Sequence, residues 1–255
     1  MLCIQNAGIY EKKVHVILKK EELLAKKLEG KTVVIFDILL ATSTIAAALQ
    51  QGATEVIPVR NEEEARNKAK TYKPDEIALV GEYRGKTIEG FLDPNPSTLK
   101  HVQNKTVILS TTNGTVAIHN AEKAKHVYAA SLLNGEAVAS AVCQPSQDET
   151  VLLVCSGSSD RFCLEDLYGA GYFISCLLQL KTFHLTDAAK AVLLLYEAYE
   201  HSPVEILKRS SVGEMLTQYG FLEEIGFASR KNVYSVVPKV VKKKLVNGEE
   251  TICLK

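Results

Sequence analysis

The sequence predicts an α/β protein with a mostly parallel or mixed sheet and helices on both faces. Strand-like and helix-like runs alternate almost to the C-terminus, the pattern that builds parallel sheets with helical crossovers. Several strand-like runs are continuously apolar and β-branched, as strands covered on both faces are. The third observation is size: 255 residues, 46% of them apolar, suffice to bury a core without disulfides.

In chain order, Val14 to Leu18 reads as a strand and Lys19 to Leu28 as a helix stopped by Gly30. Thr32 to Phe36 is a fully buried strand, followed by a helix over Ser43 to Gln51 ending at Gly52. A strand over Glu55 to Val59 precedes a helix over Glu62 to Thr71, whose first-turn acids suit the helix dipole. Further strands are expected at 77–80, 106–109, 127–130 and 151–155, with helices near 115–124 and 134–143. Two long helices follow, Leu164 to Leu180 and Asp187 to Glu200. Ser211 to Phe227 divides into two short helices hinged at Gly220, and strands over 234–237 and 240–245 meet at Pro238. The whole chain, 1–255, is read as one α/β catalytic unit. The polar stretch at 144–150 is a candidate boundary between two similar lobes.

Formal net charge is zero, and the densest basic run is Lys242-Lys243-Lys244. No nucleic-acid footprint is therefore expected. The six cysteines form no Cys-x-x-Cys pair, which argues against zinc and fits a reducing compartment. No signal peptide is legible at the N-terminus, and the apolar stretch Ala188 to Tyr196 is interrupted by Lys190 and far short of a membrane span. The expectation is a cytoplasmic protein that engages no membrane.

Three apolar strands run into hydroxyl-rich loops and then helices. The first passes through Asp37 into Ala41-Thr42-Ser43-Thr44, the second into Ser110-Thr111-Thr112-Asn113-Gly114-Thr115, the third into Ser156-Gly157-Ser158-Ser159-Asp160. Ligands of open α/β sheets bind beyond the carboxyl ends of the strands, and helix N-termini attract anions. Ser, Thr, Asn and Asp are also ordinary caps and turn formers, so a single such loop says little. Three together point to one anionic ligand. Gly81-Glu82-Tyr83-Arg84-Gly85-Lys86 adds a carboxylate and a guanidinium between two glycines. Asp37 at the end of its strand, with Asp160, Glu165 and Asp166 after the third, has the chemistry for Mg²⁺ with a phosphorylated ligand, and Glu82 is a further candidate metal ligand or general base. No Walker loop, strand-Asp-x-Asp or Gly-x-Ser-x-Gly elbow is present.

The ordered motifs Asp37 to Ile45, Gly81 to Phe91, Ser110 to Ala117, Ser131 to Ala139 and Cys155 to Gly171 resemble the 2-phosphosulfolactate phosphatases, over about residue 30 to Pro238. The resemblance implies Mg²⁺-dependent removal of phosphate from 2-phospho-3-sulfolactate to give 3-sulfolactate, a step toward coenzyme M in some microbes. It implies a small anionic phosphorylated substrate, and the chain is expected to form a homo-oligomer. Asp37, Glu82 and Asp166 are the expected catalytic and metal-holding acids. Thr42, Ser43, Arg84, Thr112, Asn113 and Ser156 are the expected substrate-binding groups. The chain departs from the family pattern at Leu40, where an arginine is usual, at Asp93 to Ser97, and at Glu224-Ile225. The alternative function is a degenerate paralogue that binds a small anionic metabolite without catalysis.

Overall fold

The computed structural model describes residues 12–144, 150–244 and 250–255. Its strands are β1 (Lys13–Ile17), β2 (Thr32–Phe36), β3 (Glu55–Val59), β4 (Ile77–Tyr83), β5 (Lys86–Thr87), β6 (Thr106–Ser110), β7 (His126–Ala130), β8 (Val151–Cys155), β9 (His184–Leu185), β10 (Val240–Lys244) and β11 (Glu250–Leu254). The helices are α1 (Ala41–Gln50), α2 (Glu62–Ala69), α3 (Gly114–Asn120), α4 (Gly135–Val142), α5 (Leu164–Leu180), α6 (Asp187–Ala198), α7 (Pro203–Lys208), α8 (Ser211–Gln218) and α9 (Leu222–Ala228).

The α/β architecture is present, divided between two sheets. One has the order β7-β2-β8-β1-β9 and is parallel throughout. The other, β10-β11-β3-β6-β4-β5, is parallel across β3-β6-β4, with antiparallel pairing from β10 through β11 to β3 at one edge and of β4 with β5 at the other. Strands on either side of residues 144–150 pair in the first sheet, as β2 does with β8. Residues 145–149 themselves lie outside the described residues.

Strand periodicity sorts side chains into three cores. Val34, Phe36, Leu153 and Cys155 face helices α4 to α9, while Val33, Ile35, Leu152 and Val154 face the second sheet. They share a core with Val56, Val107 and Leu109 of that sheet. Ile57 and Ile108 point outward to a third cluster with Ala65 and Phe91. Helices α1 and α3 lie between the sheets. This explains the composition of α1, buried at every position from Ala41 to Ala48. A helix without a polar face belongs in an interior, and Ala46-Ala47-Ala48 keeps it thin enough to fit between two sheets.

Two local expectations are corrected. Residues 19–28 form two 3₁₀ turns, Lys20–Glu22 and Ala25–Lys27, in place of a helix. Lys20 is drawn beneath β8, its N–H and Nζ both donating to Ser156 O, and that tertiary contact overrides helix propensity. Residues 234–237 form no strand. Tyr234 N–H donates to Leu133 O, and Pro238 O accepts from Ala129 N–H, so this segment clamps the β7 edge. The C-terminal hairpin pairs β10 with β11 instead.

Candidate functional site

The carboxyl ends of the two sheets converge on a cavity of about 700 Å³. Ends of strands line it: Lys20 after β1, Asp37 and Leu39 to Ala41 after β2, Glu82 to Gly85 in the β4–β5 hairpin, Thr111 to Asn113 after β6, and Ser158 to Asp160 after β8. Val212, Met215 and Leu216 of α8, with Phe221, close one side.

Asp37 is 8% exposed. Its Oδ1 accepts from Ala41 N–H at 3.3 Å. Burial pushes its carboxyl up to about 6; the Ala41 N–H opposes that rise, the Glu82 charge adds to it, and Lys20 and the Gly114 N–H also oppose it. The tight packing here needs Gly114: a Cβ at that position would lie 2.5 Å from Ala41 Cβ and 2.7 Å from Asp37 Oδ2. The glycine therefore lets α3 approach both α1 and the carboxylate.

Glu82 holds the facing wall. Its Oε1 accepts from Thr112 N–H at 2.7 Å, and its Oε2 accepts from Gly85 N–H at 2.7 Å and Thr112 Oγ1 at 3.1 Å. Arg84 N–H donates to Thr112 Oγ1 at 3.0 Å. Arg84 and Gly85 both have positive φ, 52° and 76°, as a tight hairpin turn requires. Arg84 lines the cavity, its guanidinium 5.3 Å from the centre of the Tyr83 ring.

The other expected polar groups lie behind the wall. Thr42 and Ser43 are fully buried, their hydroxyls donating to Asp37 O and Ile38 O at 2.9 Å each. They build the loop that aims Asp37. Asp166 is 3% exposed and bridges two loops, accepting Ile38 N–H at 2.9 Å and Gly157 N–H at 3.0 Å. Burial, then the charges of Glu165 and Asp37, push its carboxyl up. Ser156 is fully buried and its Oγ has no partner. The structure thus brings Asp37, Glu82, Arg84, Thr112 and Asn113 to one cavity, and sets Thr42, Ser43, Asp166 and Ser156 outside its lining.

Sequence reasoning missed Lys20, whose Nζ donates to Asn113 Oδ1 at 3.0 Å and pairs with Glu21 at 2.9 Å. Its position just past a strand end was the available signal, masked by a helix-like context. Asp93 and Asn95 also line the cavity, and Ser97 hydroxyl donates to Glu224 of α9. Glu224 thereby fastens the 93–99 loop to the helices that close the site.

Among the described residues, no three His, Cys, Asp or Glu side chains converge as a metal cage. Asp37 and Glu82 do face the same space and repel each other. Two carboxylates fit Mg²⁺, which keeps several waters and takes further oxygens from a substrate phosphate. Asp166, 3% exposed and turned to the Ile38 and Gly157 N–H groups, lies outside the lining that Asp37 and Glu82 share. No described helix is long and apolar enough to cross a membrane.

A family model for 2-phosphosulpholactate phosphatase matches residues 17–243. Among curated relatives, the probable 2-phosphosulfolactate phosphatase of Clostridium perfringens is 38% identical over 88% of this chain and 92% of its own. That of Clostridium acetobutylicum is 34% identical over 93% and 99%. That of Carboxydothermus hydrogenoformans is 38% identical over 89% and 92%. With this similarity spanning both sheets and every strand end that lines the cavity, the chain belongs to the 2-phosphosulfolactate phosphatase family.

Proposed function

We propose that the chain hydrolyses the phosphomonoester of 2-phospho-3-sulfolactate, with Mg²⁺, to 3-sulfolactate and phosphate in the cytoplasm. The observation that carries this reading is the pairing of Asp37 and Glu82 with Lys20, Arg84, Thr112 and Asn113 around one strand-end cavity. The relatives' names supply the substrate.

Mg²⁺ held by Asp37 and Glu82 would offset charge on the phosphoryl oxygens and on the departing alkoxide. Arg84 can pair with substrate anions through its planar fork. Thr112 and Asn113, at the start of α3, orient the phosphate. Glu82 keeps Thr112 in register through two hydrogen bonds. The charge balance supports the need for a cation. Among the described lining residues, Lys20 and Arg84 face Glu21, Asp37, Glu82, Asp93 and Asp160. A multiply charged anion entering such a lining requires added positive charge.

Leu40 in the wall, where the family pattern has arginine, favours a second reading: a paralogue that binds a small anion without turnover. The test is phosphate release from 2-phospho-3-sulfolactate with and without Mg²⁺, beside an aryl phosphate. Mg²⁺-dependent release selective for the sulfonated ester supports the first reading. Absence of release, with a ligand-induced rise in melting temperature, supports the second.

A further inference from the structure

We propose that the same cavity also accepts phosphomonoesters of 2-hydroxy acids carrying a bulky apolar group, branched alkyl or aromatic, where the sulfolactate ester carries its sulfonate. This rests on the reading of the cavity as a phosphatase site and extends its substrate class.

Three observations carry it. The cavity lining is of two kinds. Beside the polar groups it includes Leu39, Leu40, Val212, Met215, Leu216 and Phe221, all of which belong to or pack against the core of the parallel sheet. Apolar lining of this extent contributes affinity by covering apolar ligand surface, and contributes nothing to a sulfonate. Next, the cations are few. Lys20 is already engaged by Asn113 and Glu21, so Arg84 and a metal at Asp37 and Glu82 serve the phosphate and carboxylate. Among the described lining residues no third cation stands on the apolar side for another strong anion. Finally, about 700 Å³ falls in the range of pockets that hold drug-sized ligands, well beyond the needs of a three-carbon acid.

Met215 is central to the apolar wall. It reaches across from α8 to the β4–β5 turn, so close that a Cβ on Gly85 would lie 3.3 Å from its methyl. An unbranched thioether adapts to ligands of different shape. The chemistry is unchanged: the water oxygen bonds to phosphorus, the phosphorus–alkoxide bond breaks, and the alkoxide takes a proton to give the free 2-hydroxy acid and phosphate.

The experiment compares kcat/KM for 2-phospho-3-phenyllactate, 2-phospho-4-methylpentanoate and 2-phospho-3-sulfolactate. The expected result is hydrolysis of the apolar esters within about tenfold of the sulfonated one or better. Met215→Lys should lower the apolar-to-sulfonated ratio by about tenfold, the scale on which a pocket discriminates small apolar groups. Met215→Gln should shift it the same way and guards against misfolding of the lysine variant. Turnover of the sulfonated ester with apolar esters more than tenfold worse overturns the proposal and leaves the phosphatase reading intact. So does an unchanged ratio in both variants at unaltered melting temperature. Failure to hydrolyse any of the three overturns both.

Discussion

The loops leaving the two sheets use the same residue types to opposite ends. Of the polar groups expected from the parallel sheet, Asp37, Thr42, Ser43, Ser156 and Asp166, Asp37 alone lines the cavity. Of those expected from the mixed sheet, Glu82, Arg84, Thr112 and Asn113 all do. Depth explains the difference. The parallel sheet is covered on both faces, so its loops start inside the protein, where backbone N–H and C=O groups must find partners among nearby hydroxyls and carboxylates. The mixed sheet ends in the β4–β5 hairpin, whose residues from Tyr83 to Thr87 are exposed, and polar side chains there are free to meet a ligand. The buried loops build a frame and the exposed hairpin faces the cavity, with Asp37 belonging to the first by position and lining the cavity with the second.

Substitution at Asp37 gives the largest expected effect. Asp37→Asn removes the charge that faces Glu82 and should lower kcat/KM by about 10³-fold, with little loss of thermal stability because the carboxylate removed is a buried one. Wild-type turnover in this variant would make Asp37 part of the frame alone. Asp166→Ala tests the other side of the comparison. It strands the N–H groups of Ile38 and Gly157 in the interior and should cost about 2–5 kcal/mol of stability. That is a fall of roughly 4–20 °C in melting temperature for a chain this size. An unchanged melting temperature would mean that the two loops do not depend on this bridge.

How legible was this from sequence? The parallel sheet was read nearly to the residue at Thr32–Phe36 and Val151–Cys155, because a strand buried on both faces leaves an unbroken apolar run. That polar loops gather at strand ends around a cavity was legible in part, from the hydroxyl-rich strings that follow such runs. The direction of each hydroxyl was not, because Thr42 and Thr112 sit in similar strings and differ only in depth. Lys20 was hidden by a lysine- and glutamate-rich segment that reads as helix. Strand β11 was missed: its pairing with β3 joins segments remote in the chain, which no local pattern marks.

Glu165 gives the comparison a pH axis. It is 2% exposed, with Oε2 unpartnered. Burial pushes its carboxyl up from 4.5 to about 7, opposed by hydrogen bonds to its own backbone and to Ser210, and raised further by the Asp37 charge. The folded protein therefore keeps its proton where the unfolded chain releases it. The stability this contributes is fully present below about pH 4.5 and is lost as pH rises to about 7. Glu165→Gln has no such proton. Relative to wild type, its stability should rise by about 2–3 kcal/mol between pH 4.5 and pH 8. Parallel melting curves for the two proteins across that range would show that Glu165 ionises as easily folded as unfolded.

The smallest expected effect comes from Leu40, which belongs to the parallel-sheet loop yet lines the cavity. It stands where the family usually carries arginine, and it packs against the core behind the apolar wall. Leu40→Arg places a guanidinium where the lining lacks a cation and gives up part of that packing. A single charge-assisted pair contributes about 1.5–3 kcal/mol before the lost packing is subtracted. The net should be a drop of about tenfold in KM for 2-phospho-3-sulfolactate. The apolar esters should gain nothing, since they carry no anion at that wall. The variant therefore separates the two substrate classes in the opposite direction to Met215→Lys. An equal fall in KM for both classes would place the new guanidinium on the phosphate or carboxylate, on the polar side. The cavity would then discriminate by total charge, and its two walls would not act as separate subsites.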